Sequence, residues 1–388
     1  MNTKTPLSKK FWWSLVLLGL TGQIAWVVEY MYLNVFIYKM FNASPSAISL
    51  MVGASAVTAA LTTIIIGALS DRIGKRKVFI CGGYILWGIS IFAFSMLDLG
   101  RISSFVPTLA GASALAILIT IVLDCLMTFF GSTANDAAFN AWLTDSTDST
   151  NRGSVEGINA MMPLIAILMV FGGFMSFDLD RSESWSFIFS FIGIVTAIIG
   201  IIGFFTIKEG NTQKSETGFF KNVIYSFRPS TVAKYPRLYL YLAAFIIFNI
   251  SIQIFMPYLI IYYEVSLGMT NYVLIMAPAI IIASIITAFW GKTYDKKGFF
   301  FAGAIALAAL SAGFIVLYLF TQTTLVFIGS LLMMSGYLAG MAAFGAKIRD
   351  LTPQGKAGML QGVRICSQVL IPGIACPFIG SLVLKDAG

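Results

Sequence analysis

Phe191-Ile-Gly-Ile-Val-Thr196-Ala-Ile-Ile-Gly-Ile-Ile-Gly-Phe-Phe205 contains one polar side chain, that of Thr196. A membrane-spanning strand alternates apolar and polar residues over about 10 positions, whereas a helix needs roughly 20 apolar residues to cross the hydrocarbon. This stretch does not alternate and lies within a longer apolar run, 185–207, so it reads as a spanning helix. Working outward, the same ruler marks further runs at 11–37, 46–69, 78–97, 108–141, 154–176, 237–263, 271–291, 299–320, 323–346 and 357–384. The expectation is an all-α membrane protein with 11 transmembrane helices.

Composition agrees. Hydrophobic residues make up 58% of the 388 and charged residues 11%, against about 25% charged in a soluble domain. The net charge of +8 sits in alternate gaps between the runs. Lys4, Lys9 and Lys10 precede the first run; Arg72, Lys75, Arg76 and Lys77 follow the second; Arg152 follows the fourth. Lys208 to Arg237, Lys292 to Lys297 and Lys347 to Lys356 hold the rest, while the other gaps carry only Lys39, Arg101, Arg181 and Lys385. This is the positive-inside pattern. It places the N-terminus in the cytoplasm of a chain in the cell (plasma or inner) membrane, and leaves no basic face for nucleic acid. Cys81, Cys125, Cys366 and Cys376 fall singly inside apolar runs and there is no histidine, so no metal or cofactor is expected.

The one long polar stretch, 208–236, divides the chain into a six-helix bundle, 1–207, and a five-helix bundle, 237–388. Two echoes point to a duplication. Gly67-x3-Asp71-x2-Gly74 returns as Gly291-x3-Asp295-x2-Gly298, 224 residues later. Asp145-Ser-Thr147 with Gly153 and Gly157 returns as Asp350-Leu-Thr352 with Gly358 and Gly362, 205 residues later. Two similar halves around a polar tether suit a transporter whose bundles rock about a midplane site. A six-plus-six plan has one helix more, so a twelfth is expected beyond Gly388.

The motif Gly67, Asp71, Arg72, Gly74, Lys75, Arg76, Lys77 lies between the second and third spans. Its glycines permit close helix approach, and Asp71 can pair with a cation or cap a helix. In place and spacing this resembles the loop signature of the major facilitator superfamily. The resemblance implies a two-bundle fold of 12 helices, and a loop that latches helices during rocking without touching substrate. A narrower likeness rests on Gln23-x2-Trp26-x2-Glu29, on Leu123-Asp124, Asn135-Asp136 and Ala141-Trp-Leu-Thr-Asp145, and on Arg349-Asp350 with Gln361-Gly-Val-Arg364. These patches look like the glycoside–pentoside–hexuronide:cation symporters, including melibiose and sucrose–proton carriers. Asp124 matches the position of the sucrose carriers' coupling aspartate. The melibiose-type sodium site uses carboxylates on span two, where this chain has none, which favours protons as the coupling cation.

The residues themselves supply candidates. Asp124 stands in an apolar run, and an intramembrane carboxyl group usually serves an ion or a solute. Its neutral form donates a hydrogen bond and its charged form accepts one, which is a means of coupling; a structural helix–helix partner is the other reading. Gln23, Trp26, Glu29 and Tyr30 recur at helical spacing, so an indole face and a carboxylate are set for a sugar, unless the aromatics are packing or lipid-belt residues. In the second half Asn249, Gln253 and Tyr258 on span seven, and Gln361, Arg364 and Gln368 on span eleven, form polar faces. Arg364 either pairs with a carboxylate or an anionic substrate, or snorkels to the membrane surface.

The function expected is proton-coupled symport of a sugar or glycoside-like solute by a monomer in the lipid bilayer. Proton coupling falls to Asp124 and Glu29. Substrate binding falls to Gln23, Trp26, Glu29, Tyr30, Asp124, Asn249, Gln253, Arg364 and Gln368. The alternative is export of a drug or lipid-like substrate. No histidine cluster, nucleotide loop or nucleophile motif points to an enzyme.

Overall fold

A computed structural model of the chain describes residues 6–104, 108–174, 176–209, 224–255, 259, 262–263, 267–269, 273–372, 375–376 and 379. Among these residues there is no strand, and nine helices are long and apolar enough to cross a membrane. They are α1 (Lys9–Phe41), α2 (Pro45–Ile73), α3 (Arg76–Phe94), α4 (Ala110–Ser146) and α5 (Arg152–Phe174). After them come α6 (Ser182–Thr206), α7 (Pro236–Gln253), α8 (Val273–Leu319) and α9 (Thr323–Leu351). A shorter α10 (Ala357–Ile365) continues into a π-helical stretch, Cys366–Leu370.

The difference from the 11 spans expected has two sources. Helix α8 takes in both 271–291 and 299–320 as one element of 47 residues. At about 1.5 Å per residue it would measure roughly 70 Å, more than twice the hydrocarbon thickness. Gly298 interrupts it with φ 78° and ψ −178°, a conformation open to a residue without Cβ. Of the run 357–384, only α10 and its π-helical continuation are regular over an unbroken length among the described residues. Tyr258 lies outside the described residues.

Local sequence accounts for the helix starts. Ser8, Ser44 and Thr108 cap α1, α2 and α4 by accepting from backbone N–H groups three residues on, and Pro45 follows Ser44 where its missing N–H is harmless. The outer surface is apolar: Phe205, Phe300 and Tyr318 face away from the protein, as lipid-facing side chains do. One apolar core draws on residues between Phe11 and Ile207, and a second on residues between Leu238 and Leu360.

Two seams join these cores. Helix α2 packs on α10, and α5 packs on α8 and α9. Each seam closes on a glycine pair. A Cβ on Gly67 would lie 2.2 Å from the Gly358 carbonyl oxygen, and one on Gly291 would lie 2.0 Å from that of Gly153. The echoed glycines of the sequence are therefore the backbone contacts between halves. Gly67→Ala and Gly291→Ala are expected to lower the melting temperature, by an overpacking penalty of about 1–3 kcal/mol. Gly82→Ala and Gly172→Ala, whose Cβ would meet nothing within 4 Å, should leave it equal or raised. Equal melting temperatures in all four variants would contradict the close approach.

Candidate functional site

The same seams carry buried charge. Asp71 and Arg76 are both 0% exposed. Arg76 pairs with Asp71, holds Asp145 at 3.0 Å through Nε and donates to Ser70 Oγ at 2.5 Å. Asp71 in turn accepts from the backbone N–H groups of Gly358 (2.9 Å) and Met359 (2.7 Å). These are free donors in the first turn of α10, where a carboxylate satisfies them and complements the helix dipole. Gly74, with φ 71°, ends α2 and returns the chain to Arg76; Arg72 and Lys75 are exposed.

The second half repeats the device. Asp295 accepts from the N–H groups of Gly153 (2.7 Å) and Ser154 (3.1 Å) in the first turn of α5, and from the Ser154 hydroxyl. Asp350 accepts from Tyr294 at 2.7 Å and pairs with Arg152 of the first half at 3.0 Å. Each half thus caps a helix of the other. The offsets of 224 and 205 are the offsets of carboxylate and capped helix.

Between the seams lies a cavity of about 480 Å³. The first half supplies Gln23, Trp26, Tyr30, Asn135, Asp136, Asn140, Glu156 and Asn159; the second supplies Tyr337, Gln361, Arg364 and Gln368. Trp26 and Tyr30 stack with ring centroids 5.7 Å apart at 13°. Asp136 accepts from Ser132 at 2.8 Å. Asn135 donates to Tyr84 at 2.8 Å, and Tyr84 donates to the Leu18 carbonyl at 2.6 Å.

Glu156, on the cavity wall, meets two arginines. Arg349, 1% exposed, pairs with Glu156 through Nε and donates to Thr144 Oγ1 (2.7 Å) and Asn140 Oδ1 (2.8 Å). Arg364 Nη2 lies 3.7 Å from the other oxygen of Glu156, and its Nη1 is buried without an acceptor. The arginine expected either to pair or to snorkel faces a carboxylate of the other half.

Of the expected substrate residues, Gln23, Trp26, Tyr30, Arg364 and Gln368 come together on the cavity wall. Four do not. Glu29 and Asp124, 4% and 1% exposed, lie in the seam of α1, α2 and α4. Glu29 Oε1 accepts from Ser55 (2.9 Å) and Thr128 (3.0 Å), while its Oε2 and Asp124 Oδ1 have no partner. Asn249 donates to Phe245 of its own helix at 2.8 Å, and Gln253 donates to the Gln368 carbonyl at 3.0 Å.

The joint lining by Trp26 and Glu29 rested on an α-helical face. Residues Val28–Leu33 of α1 are π-helical, with i→i+5 hydrogen bonding, which turns Glu29 off the face of Trp26 and sets Tyr30 beneath it. Ser132–Phe139 of α4, carrying Asn135 and Asp136, is π-helical too, as is Cys366–Leu370 with Gln368. Asp136 and Glu156 were not among the expected site residues. Glu156 carries the signal that Asp124 does, a carboxyl group within an apolar run, but near the start of that run. Among the described residues no group of three or more Asp, Glu, His or Cys could hold a metal ion.

A cysteine reports the latch. With the native cysteines replaced, Met359→Cys, at a position 1% exposed, should react slowly with a polar maleimide. Adding Asp71→Asn removes a charge-assisted partner of α10 worth about 1.5–3 kcal/mol, so the reaction should speed up about ten- to a hundredfold. An unchanged rate would separate Asp71 from the seam.

The profile of the Major Facilitator Superfamily matches residues 11–375. No match was found among curated proteins. Similar solved structures include the proton:xylose symporter XylE bound to 6-bromo-6-deoxy-D-glucose, at 16% identity over 97% of this chain and 89% of that one, with TM-score 0.66. The human organic anion transporter MFSD10 (TETRAN) shares 14% identity over 98% and 94%, with TM-score 0.68. A bacterial homologue of the iron transporter ferroportin, in its outward-facing state, shares 15% over 98% and 93%, with TM-score 0.69. At these identities the likeness is one of fold. The profile match over nearly the whole chain decides the family: this multi-pass membrane protein belongs to the Major Facilitator Superfamily, whose members are transporters rather than enzymes.

Proposed function

We propose that the chain is a proton-coupled symporter of a sugar or glycoside-like solute, working by alternating access. The observation that carries this reading is a cavity between the halves whose apolar wall carries amides, charged groups and a stacked aromatic pair, with a separate, sealed carboxyl pair beside it. The amides of Gln23, Asn135, Asn159, Gln361 and Gln368 suit hydroxyl groups, and the Trp26–Tyr30 stack suits the C–H face of a sugar ring. Similar folds carry different cargoes by name, a proton:xylose symporter, an organic anion transporter and an iron transporter homologue among them, so the cavity has to make the choice.

Glu29 and Asp124 carry the proton in this reading. Their unpartnered oxygens, Oε2 and Oδ1, are buried, and both residues lie on helices, α1 and α4, whose π-helical stretches also line the cavity. Protonation and solute binding then act on the same helices from two places. The bundles 1–207 and 237–388 rock as units about the glycine seams, with the basic loops and 208–236 on the cytoplasmic side of a plasma or inner membrane. The protein acts as a monomer.

The test is uptake of glycosides into proteoliposomes with an imposed proton gradient, and with a sodium gradient as the alternative. The wild type should accumulate solute on the proton gradient. Asp124→Asn, which keeps hydrogen bonding but cannot exchange a proton, should exchange solute across the membrane without accumulating it. Undiminished accumulation by Asp124→Asn would remove this residue from coupling, and accumulation on sodium alone would replace the proton.

A further inference from the structure

The polar stretch 208–236 reads in the sequence as a tether between two bundles. Its described ends do more than that. They grip the two elements that Asp71 joins, α3 through Arg76 and α10 through its first turn.

The first end holds the Arg76 side. Glu209, three residues past the end of α6, accepts from the backbone N–H groups of Arg76 (3.0 Å) and Lys77 (3.2 Å). These are free donors in the first turn of α3, so Glu209 does for α3 what Asp71 does for α10. The buried Trp142 donates through Nε1 to the Lys208 carbonyl at 2.8 Å, which fixes the turn leading to Glu209. Arg76 is thus held twice, by its N–H on Glu209 and by its guanidinium on Asp71 and Asp145.

The second end holds the α10 side. Tyr225–Phe227 forms a single 3-10 turn that packs on α10. The ammonium of Lys356, the residue just before α10, lies 3.7 Å from the centre of the Tyr225 ring. Lys356 is half-buried, and a cation over an aromatic face gains strength as water leaves it. Tyr239, in the first turn of α7, donates to the Ser226 carbonyl and so fixes the 3-10 turn to the second half. The first turn of α10 is therefore held by Asp71 from the first half and by Tyr225 from its own.

Helix α10 needs the second grip. It has 9 residues, fewer than the roughly 12–15 at which an isolated helix becomes even marginal. Gly355, with φ 72°, turns the chain before it, and Cys366–Leu370 after it is π-helical. With no hold on its own side, such a turn frays, and the N–H groups that Asp71 takes are lost to water.

We propose that Glu209, Tyr225 and Lys356 are positioning residues of the Asp71 latch, so that the connection between the bundles sets how readily this seam opens. Neither the solute nor the coupling ion enters into this assignment.

The Met359→Cys reporter tests it in the purified full chain with the native cysteines replaced. Tyr225→Leu, Lys356→Met and Glu209→Ala should each speed its reaction with a polar maleimide by about two- to thirtyfold. Tyr225→Leu and Lys356→Met together should be no faster than the faster of the two alone, because they remove one contact. Tyr225→Phe and Lys356→Arg, which keep the ring and the cation, should retain the slow rate. Tyr225→Trp, a better host for a cation, should keep it or slow it further. An unchanged rate in Tyr225→Leu and Lys356→Met overturns the grip on α10, and an unchanged rate in Glu209→Ala overturns the grip on α3. Effects of Tyr225→Leu and Lys356→Met that multiply, or a rate in Tyr225→Phe or Tyr225→Trp as fast as in Tyr225→Leu, overturn the contact between ring and cation.

Discussion

On each half of the molecule a carboxylate, fully buried at Asp71 and half-buried at Asp295, satisfies the first backbone N–H groups of a helix in the other half. Asp71 does this for α10 and Asp295 for α5, at distances of 2.7–3.1 Å. The rest of the arrangement follows from that constraint. A carboxylate with no exposure is tolerated only while its partners are in place, since an uncompensated buried charge costs about 3–5 kcal/mol. The groups that meet across the seam can be dry and paired or wet and apart, with little stability in between. Glycine pairs make the dry state possible by letting the backbones touch. A seam of this kind is suited to opening and closing as a unit, which the proposed rocking of the two bundles requires.

Much of this was legible in the sequence. Membrane helices followed from run length, and the echoes at offsets of 224 and 205 named the residues that meet across the seams. The echoes did not reveal which residue caps which helix. That is a contact over nearly 290 residues for Asp71 and Gly358, and no local pattern records it. Arg349 reads as one more positive charge in a cytoplasmic gap, just past a predicted span. It is buried because Glu156 and Asn140, on helices far away in sequence, receive it. A snorkelling arginine and a paired one look alike until the partner is known.

Span one was misjudged for a geometric reason. Three-residue spacing assigns Trp26 and Glu29 to one face only if the helix is α throughout, and the π-helical stretch from Val28 breaks that assumption. The outcome divides the labour. Trp26 and Tyr30 reach the cavity, while Glu29 turns to Ser55 and Thr128. On the proposed reading the cation and the solute do not compete for one carboxylate. They are linked because neighbouring residues of α1, Glu29 and Tyr30, belong to different sites on one π-helical stretch.

The reciprocal latch is the claim on which the account turns, and a distance measurement tests it most directly. Spin labels placed through Arg72→Cys and Lys296→Cys sit on exposed positions beside Asp71 and Asp295, one on each half. In the membrane-reconstituted protein, pulsed electron resonance should give one short distance between them. A second, longer distance should appear when Asp71→Asn and Asp295→Asn are combined. A single unchanged distance in that double variant would contradict the account, because the two carboxylates would then not be what holds the halves together.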